Sequence, residues 1–166
     1  MADLAEILML EHLAIRHTRK ELEKKPDYVS LETFNEYLKD CHIEIEEKIL
    51  FPALLESSEI SSTLKDEATR IMADHKLIEA LFGNLSRWNA SRDMEKFTSR
   101  YPLYFRLLQD HNDKEDSIVF PHWNSIIEST LLQAKKEAGS IIDSFGKKRY
   151  LEVTGLTPES YSYLFR

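Results

Sequence analysis

Two short segments of the chain share a pattern of residues that could bind a metal ion. Each has a histidine, a glutamate four residues later, and then an Ile-aliphatic-Phe-Pro tail. A spacing of four places two side chains on one face of a helix, about one turn apart. An imidazole nitrogen and a carboxylate oxygen that face the same point are ligand groups for a transition metal. The two pairs are His42 with Glu46 and His111 with Glu115.

A further histidine precedes each segment. His12 and His75 each lie in a row of apolar residues at helical spacing, which predicts that both are buried. Glu46 lies beside a similar row, and a buried carboxylate is costly without a cation or strong hydrogen bonds. Glu47, by contrast, is expected on the solvated surface. The six candidate metal ligands are His12, His42, Glu46, His75, His111 and Glu115.

The apolar periodicity predicts four helices in the first 130 residues. Short links make neighbouring helices antiparallel, so the four histidines can meet at one level. Ser30 and Ser91 are expected to start the second and fourth helices, and Pro102 to mark a second start or a kink. Phe-Pro pairs are expected to end or bend these helices. The predicted bounds are about 3–24, 30–52, 62–89 and 91–121.

Residues 131–166 are predicted to form a helical extension that packs against residues 1–130. A further helix is expected over residues 123–145, interrupted by Gly146 and the basic residues after it. Thr157 has the signature of an N-cap before a short closing helix, Ser160–Phe165. A homodimer contact or a lid over the metal pocket is the alternative role of this extension.

The net charge, the apolar runs and the cysteine count exclude some classes of partner and indicate a cellular location. The net charge of −7 argues against nucleic acid, which needs a basic face. No apolar run approaches the roughly 20 residues that span a bilayer, and acidic residues stand where a signal peptide needs a basic start. The single cysteine, Cys41, suits a reducing compartment. We therefore expect a cytoplasmic protein with no nucleic-acid partner and no membrane partner.

Other metal and catalytic motifs are absent from the sequence. A ferritin-like di-iron site needs Glu-x-x-His, and no such motif ends at any of the six histidines. The His-Glu-x-x-His motif of zinc metalloproteases is also absent. Neither a glycine-rich phosphate loop nor a Cys-x-x-Cys pair is present.

The order of these histidines and glutamates over residues 3–130 resembles the hemerythrin-like family of His-His-Glu cation-binding domains. The resemblance implies an all-α, up-and-down antiparallel four-helix bundle that holds two iron ions joined by an oxo or hydroxo bridge. Zinc or manganese would suit the same ligands. It also implies that His12 and His42 serve one ion, that His75 and His111 serve the other, and that both glutamates bridge.

The chain departs from the oxygen-carrying hemerythrins at the third helix and at the last ligand. Those proteins have a fifth histidine one turn from the third-helix ligand and an aspartate at the last position. Here Ile71 and Glu79 flank His75, and Glu79 is an additional candidate ligand. Two octahedral ions need about twelve coordination positions, and the ligands with their bridge fill about ten.

The open positions suit dioxygen, nitric oxide or peroxide. We therefore expect a di-iron protein that binds or senses one of these ligands, or iron itself, and not an enzyme. A di-iron oxidase, a peroxidase or a nitric-oxide-handling enzyme is the alternative. A third reading is an interaction module whose site is empty or holds another metal.

Overall fold

A computed structural model describes residues 3–126 and 128–165. All regular elements among these residues are helical, and the predicted fold class, an all-α up-and-down bundle, is confirmed. The second helix runs without a break through α-helical and wider π-helical turns. The four bundle helices are α1 (Leu4–Lys24), α2 (residues 28–56), α3 (Ser62–Ala90) and α4 (Met94–Lys114, continued by a π turn at Glu115–Val119).

Two helices begin at a different residue from the one predicted. Asp27 caps α2, because its carboxylate accepts a hydrogen bond from the N–H of Ser30. Asp93 caps α4 in the same way, so Ser91 lies in the preceding turn. Aspartate is as strong an N-cap as serine. Ser30 lies within the first turn of α2, and Ser91 lies two residues before the cap of α4. Pro102 lies inside α4 on an exposed face, where water can replace the missing hydrogen bond.

The Phe-Pro pairs widen the helix just before them. In the π turns Glu46–Leu50 and Glu115–Val119, the first carbonyl accepts a hydrogen bond from the N–H five residues later. A proline ring clashes with the carbonyl four residues before it, and a wider turn relieves that clash. Pro52 therefore does not end α2, which continues to Glu56, contrary to one of the two expectations. After the second π turn the chain bends into a 3-10 turn, Phe120–Ser125.

Three helices follow the bundle: α5 (Glu128–Phe145), which begins three residues before the predicted extension, α6 (Lys147–Thr154) and α7 (Pro158–Leu164). The helix predicted from residue 123 begins later, because the 3-10 turn occupies the chain up to Ser125; Ile127 lies outside the described residues. Gly146, with a φ of 108°, is the single residue between α5 and α6, and the basic residues after it open α6. Thr157 caps α7, as expected.

Helices α5 and α6 contact α1 and α2 of the bundle. They do so through buried residues that include Ala138, Ile142 and Tyr150. The division of the chain at residue 130, a homodimer and a cytoplasmic location stay predictions. Within the described part of the chain, no helix is both long enough and apolar enough to cross a bilayer.

Candidate metal centre

The six predicted residues meet inside the bundle. All are at most 3% exposed. They form two overlapping groups, and in each group the ligand atoms lie within 4.8 Å of one another. Both glutamates belong to both groups, and the histidines divide as the resemblance implies. One group contains His12 and His42, and the other contains His75 and His111.

Each glutamate lies between the two pairs of histidines. Glu46 Oε1 is 3.1 Å from His42 Nε2, and its Oε2 is 3.3 Å from His75 Nε2. Glu115 Oε2 is 3.4 Å from His12 Nε2 and 3.3 Å from His111 Nε2, and its Oε1 is 4.0 Å from His75 Nε2. The two oxygens of Glu46 face different histidine pairs, and Glu115 Oε2 contacts one histidine of each pair, so both carboxylates lie where a bridging ligand would.

The histidine nitrogens face each other in pairs. His12 Nε2 lies 3.2 Å from His42 Nε2, and His75 Nε2 lies 2.9 Å from His111 Nε2. Two lone pairs at this distance repel unless a proton or a metal ion lies between them. Two nitrogen ligands about 2.1 Å from one ion, at a right angle to each other, are about 3.0 Å apart. Each pair therefore has the separation of two ligands of one ion.

Carboxylates from neighbouring helices orient three of the four imidazoles. Since a carboxylate only accepts hydrogen bonds, Nδ1 of each ring carries the hydrogen and Nε2 keeps its lone pair for a metal. Ligating histidines usually have such a partner, which fixes the ring and raises its basicity. The donor and acceptor pairs are His12 with Asp116 (2.7 Å), His42 with Glu11 (2.7 Å) and His75 with Glu47 (3.0 Å).

These orienting carboxylates were not identified from the sequence. Glu47 is exposed, as expected, but it also accepts a hydrogen bond from His75, which was not expected. The signal was present in the repeat. An acid precedes the first histidine of each half (Glu11 and Asp74), and an acid follows each glutamate of the two pairs (Glu47 and Asp116). Each acid faces a histidine of another helix and not its sequence neighbour.

The shared Phe of each segment packs on a histidine. The rings of Phe51 and His75 are 5.9 Å apart at 71°, and those of Phe120 and His12 are 5.1 Å apart. Both phenylalanines are buried. The Phe-Pro tail of each segment thus has two effects, since the proline accompanies the wide turn and the phenylalanine covers one side of the centre.

The electrostatics of the metal-free centre favour protons on the histidines. Burial by itself lowers the pKa of His42, but the charge of Glu46 and the hydrogen bond to Glu11 raise it to about 9. Burial also lowers the pKa of His12, but the hydrogen bond to Asp116 and the nearby glutamates raise it well above the usual histidine value. Burial raises the pKa of Glu46, but the charge of His42 together with the interactions with His12, His42 and His75 holds that pKa well below its usual range. In the absence of metal, protons therefore take the place of cations.

The unpaired carboxylate oxygens of the two glutamates also indicate that these residues fit a metal centre. The four carboxylate oxygens of Glu46 and Glu115 are buried and have no hydrogen-bond partner among the described residues. Unpaired buried carboxylates are costly, and a cation in each group removes that cost. Glu79 belongs to neither group, because its side chain is 69% exposed and lies 3.9 Å from Lys39 Nζ.

One family model matches most of the chain. It describes the hemerythrin HHE cation-binding domain and matches residues 3–123. The chain belongs to this family. A comparison with curated proteins and one with solved structures give no match.

This hemerythrin-like domain therefore contains a buried cluster of histidines and glutamates that could bind metal cations. A cavity of about 180 Å³ lies between α2 and α3 beside this cluster. His75 and Glu47 form part of its wall, together with the exposed Lys39 and Glu79. The cavity therefore borders the His75 side of the centre.

Proposed function

We propose that this hemerythrin-like domain binds two iron ions, one at each histidine pair, and that Glu46 and Glu115 bridge them. A small ligand, which is dioxygen, nitric oxide or peroxide, binds at a coordination position that the protein leaves open. One observation carries the proposal. Two pairs of imidazole nitrogens face each other at 2.9 and 3.2 Å, with two buried carboxylates between the pairs.

The ligand count supports an open position. The four imidazoles offer four nitrogens and the two glutamates four oxygens. Two octahedral ions need about twelve donors, so about four positions remain for solvent, a bridging oxygen and an outside ligand. The cavity beside His75 is large enough for a diatomic ligand or for peroxide.

In this proposal the protein positions the histidine ligands and excludes water from one side of the centre. Bound iron would supply the electrons and open positions that a small oxygen or nitrogen ligand requires. Asp116 and Glu11 hold the rings of His12 and His42 with Nε2 towards the centre. Phe120 shields one face of the His12 ring from solvent.

Metal content per chain tests this proposal. The metal-free protein is reconstituted with Fe(II) without oxygen and desalted, and its iron is measured by mass spectrometry. We expect two iron ions per chain and an absorption spectrum that differs between air-exposed and reduced protein. His12→Gln should lose iron, whereas the matched control His17→Gln should not, because His17 is exposed on the same helix. One iron ion or fewer per wild-type chain, or equal loss in both variants, would refute it.

Turnover separates binding or sensing from catalysis. Ligand uptake that stops at one equivalent supports binding or sensing. Sustained consumption of peroxide or nitric oxide with a reductant would instead assign an enzyme. Reconstitution with Zn(II) or Mn(II) in parallel shows whether the site prefers iron, because both metals accept the same donors.

A further inference from the structure

A tyrosine of the extension reaches the network that orients the histidines. The hydroxyl of Tyr150, in α6, donates a hydrogen bond of 2.6 Å to Glu11 Oε1. The other oxygen of Glu11 accepts from His42 Nδ1 at 2.7 Å. Tyr150 and Glu11 are both fully buried. Two hydrogen bonds therefore connect the extension with a candidate metal ligand, across 139 residues of sequence from Tyr150 to Glu11.

Two neighbouring aromatic rings and the burial of its hydroxyl keep Tyr150 in position to donate this hydrogen bond. Its ring lies against Tyr37 and Tyr161, with centroid separations of 6.3 and 5.9 Å. Burial and the charge of Glu11 raise the pKa of Tyr150 well above its usual value, so the phenol stays protonated and donates. A hydrogen bond to a charged acceptor is stronger than one between neutral groups. Glu11 is consequently fixed at both of its oxygens.

His111, in the other half of the centre, lacks such support. Asp74 is the counterpart of Glu11 in the repeat, but it lies 3.9 Å from His111 Nδ1. That nitrogen has no hydrogen-bond partner among the residues that the structure describes. Asp74 instead accepts a hydrogen bond from the exposed Lys114. His111 is therefore held less firmly than His42.

We propose that Tyr150 is a positioning residue that fixes His42 through Glu11. The metal position that contains His42 consequently binds its ion more tightly than the position that contains His111. This inference rests on the proposed function, because it requires two bound metal ions. It adds that the extension makes the two positions unequal.

The physical reason is the pre-orientation of the ligand. An imidazole that a carboxylate already holds loses little freedom when it binds a metal, and its Nε2 is more basic. Removal of such an outer partner typically lowers metal affinity about 10- to 100-fold. Without its hydroxyl donor, Glu11 has one buried oxygen unpaired, and its hold on His42 weakens.

Tyr150→Phe tests the inference, because it removes the hydroxyl and keeps the ring. Metal-free protein is titrated with Co(II), whose absorption reports ligation, in competition with a chelator. We expect two binding steps in the wild type, and Tyr150→Phe should weaken the tighter step about 10-fold and leave the other unchanged. Tyr104→Phe is the matched control. Its buried hydroxyl donates to Asn35 Oδ1, outside the metal cluster.

A double-mutant cycle separates positioning from a general loss of packing. In the Glu11→Gln background, Tyr150→Phe should have little further effect on the tighter step, because the hydroxyl acts through Glu11. A second readout is the exchange with solvent of the Nδ1 proton of His42, seen by NMR of the Co(II) protein. This exchange should be faster in Tyr150→Phe than in the wild type or in Tyr104→Phe.

The outcomes are distinct for the two proposals. Equal affinities of the two steps in the wild type, or equal effects of Tyr150→Phe and Tyr104→Phe, would overturn the role of Tyr150. Two bound ions would still uphold the metal centre in that case. A wild-type chain that binds no metal would overturn both.

Discussion

The metal-free protein should lose stability as the pH rises from 6.5 to about 9. The cause is His42, whose pKa burial lowers but which Glu46 and Glu11 together raise to about 9. In an unfolded chain the pKa of a histidine is about 6.5. A group with a raised pKa in the folded state stabilises that state fully below its unfolded pKa. This contribution is lost as the pH rises through the folded pKa.

The expected magnitude follows from the shift. A difference of about 2.5 pKa units at His42 corresponds to about 3 kcal/mol of stability at pH 6.5 and below, and none of it remains well above pH 9. The pKa values of His12 and His75 are also raised, so they add in the same direction. Glu46 stays charged throughout this window, since its pKa is held well below its usual range. A domain stable by about 5–15 kcal/mol would show a change of this size clearly.

Urea unfolding of chelator-treated protein at several pH values between 6 and 10 measures this change. Protein loaded with Zn(II) should show a much smaller fall between pH 6.5 and 9, because its histidines are already neutral. The buried thiol of Cys41 adds to the fall only above about pH 8.5, because it then ionises in the unfolded chain, whereas burial raises its pKa in the folded chain beyond this range. The control His17→Gln, on the exposed face of α1, should show the same fall as the wild type. A free energy of unfolding that is constant or rises with pH in metal-free protein would refute the reasoning.

Four further results are expected. Glu46→Ala should lower metal content at both positions, because its two oxygens face different histidine pairs; loss of a single ion would contradict the bridging role. Asp116→Asn should weaken metal binding about 10- to 100-fold in a chelator competition, because His12 loses its charged acceptor. Acid should release both metals together as the pH falls through the histidine range, and iron retained at strongly acid pH would argue against imidazole ligands. Glu79→Gln should leave metal content unchanged, and a loss would show that this exposed carboxylate is a ligand after all.

The sequence by itself determined the helices and the faces on which the six candidate ligands lie. The period of a helix is fixed, so a spacing of four is enough to place His42 and Glu46 on one face. The helix ends were harder to predict. Asp27 and Ser30 are both good caps, and the choice between them depends on where the preceding turn leaves the chain. The wide turn before Pro52 also needed the structure, because a proline can either end a helix or be absorbed by it.

Only the tertiary structure decided which carboxylate faces which histidine. Glu11 is the sequence neighbour of His12, yet it accepts its hydrogen bond from His42 on the next helix. Tyr150 joins the same network from the extension, 139 residues away from Glu11. Local spacing fixes the direction of a side chain about its own helix axis. The level and rotation of one helix against another depend on packing across the whole core, and those contacts decide which groups meet.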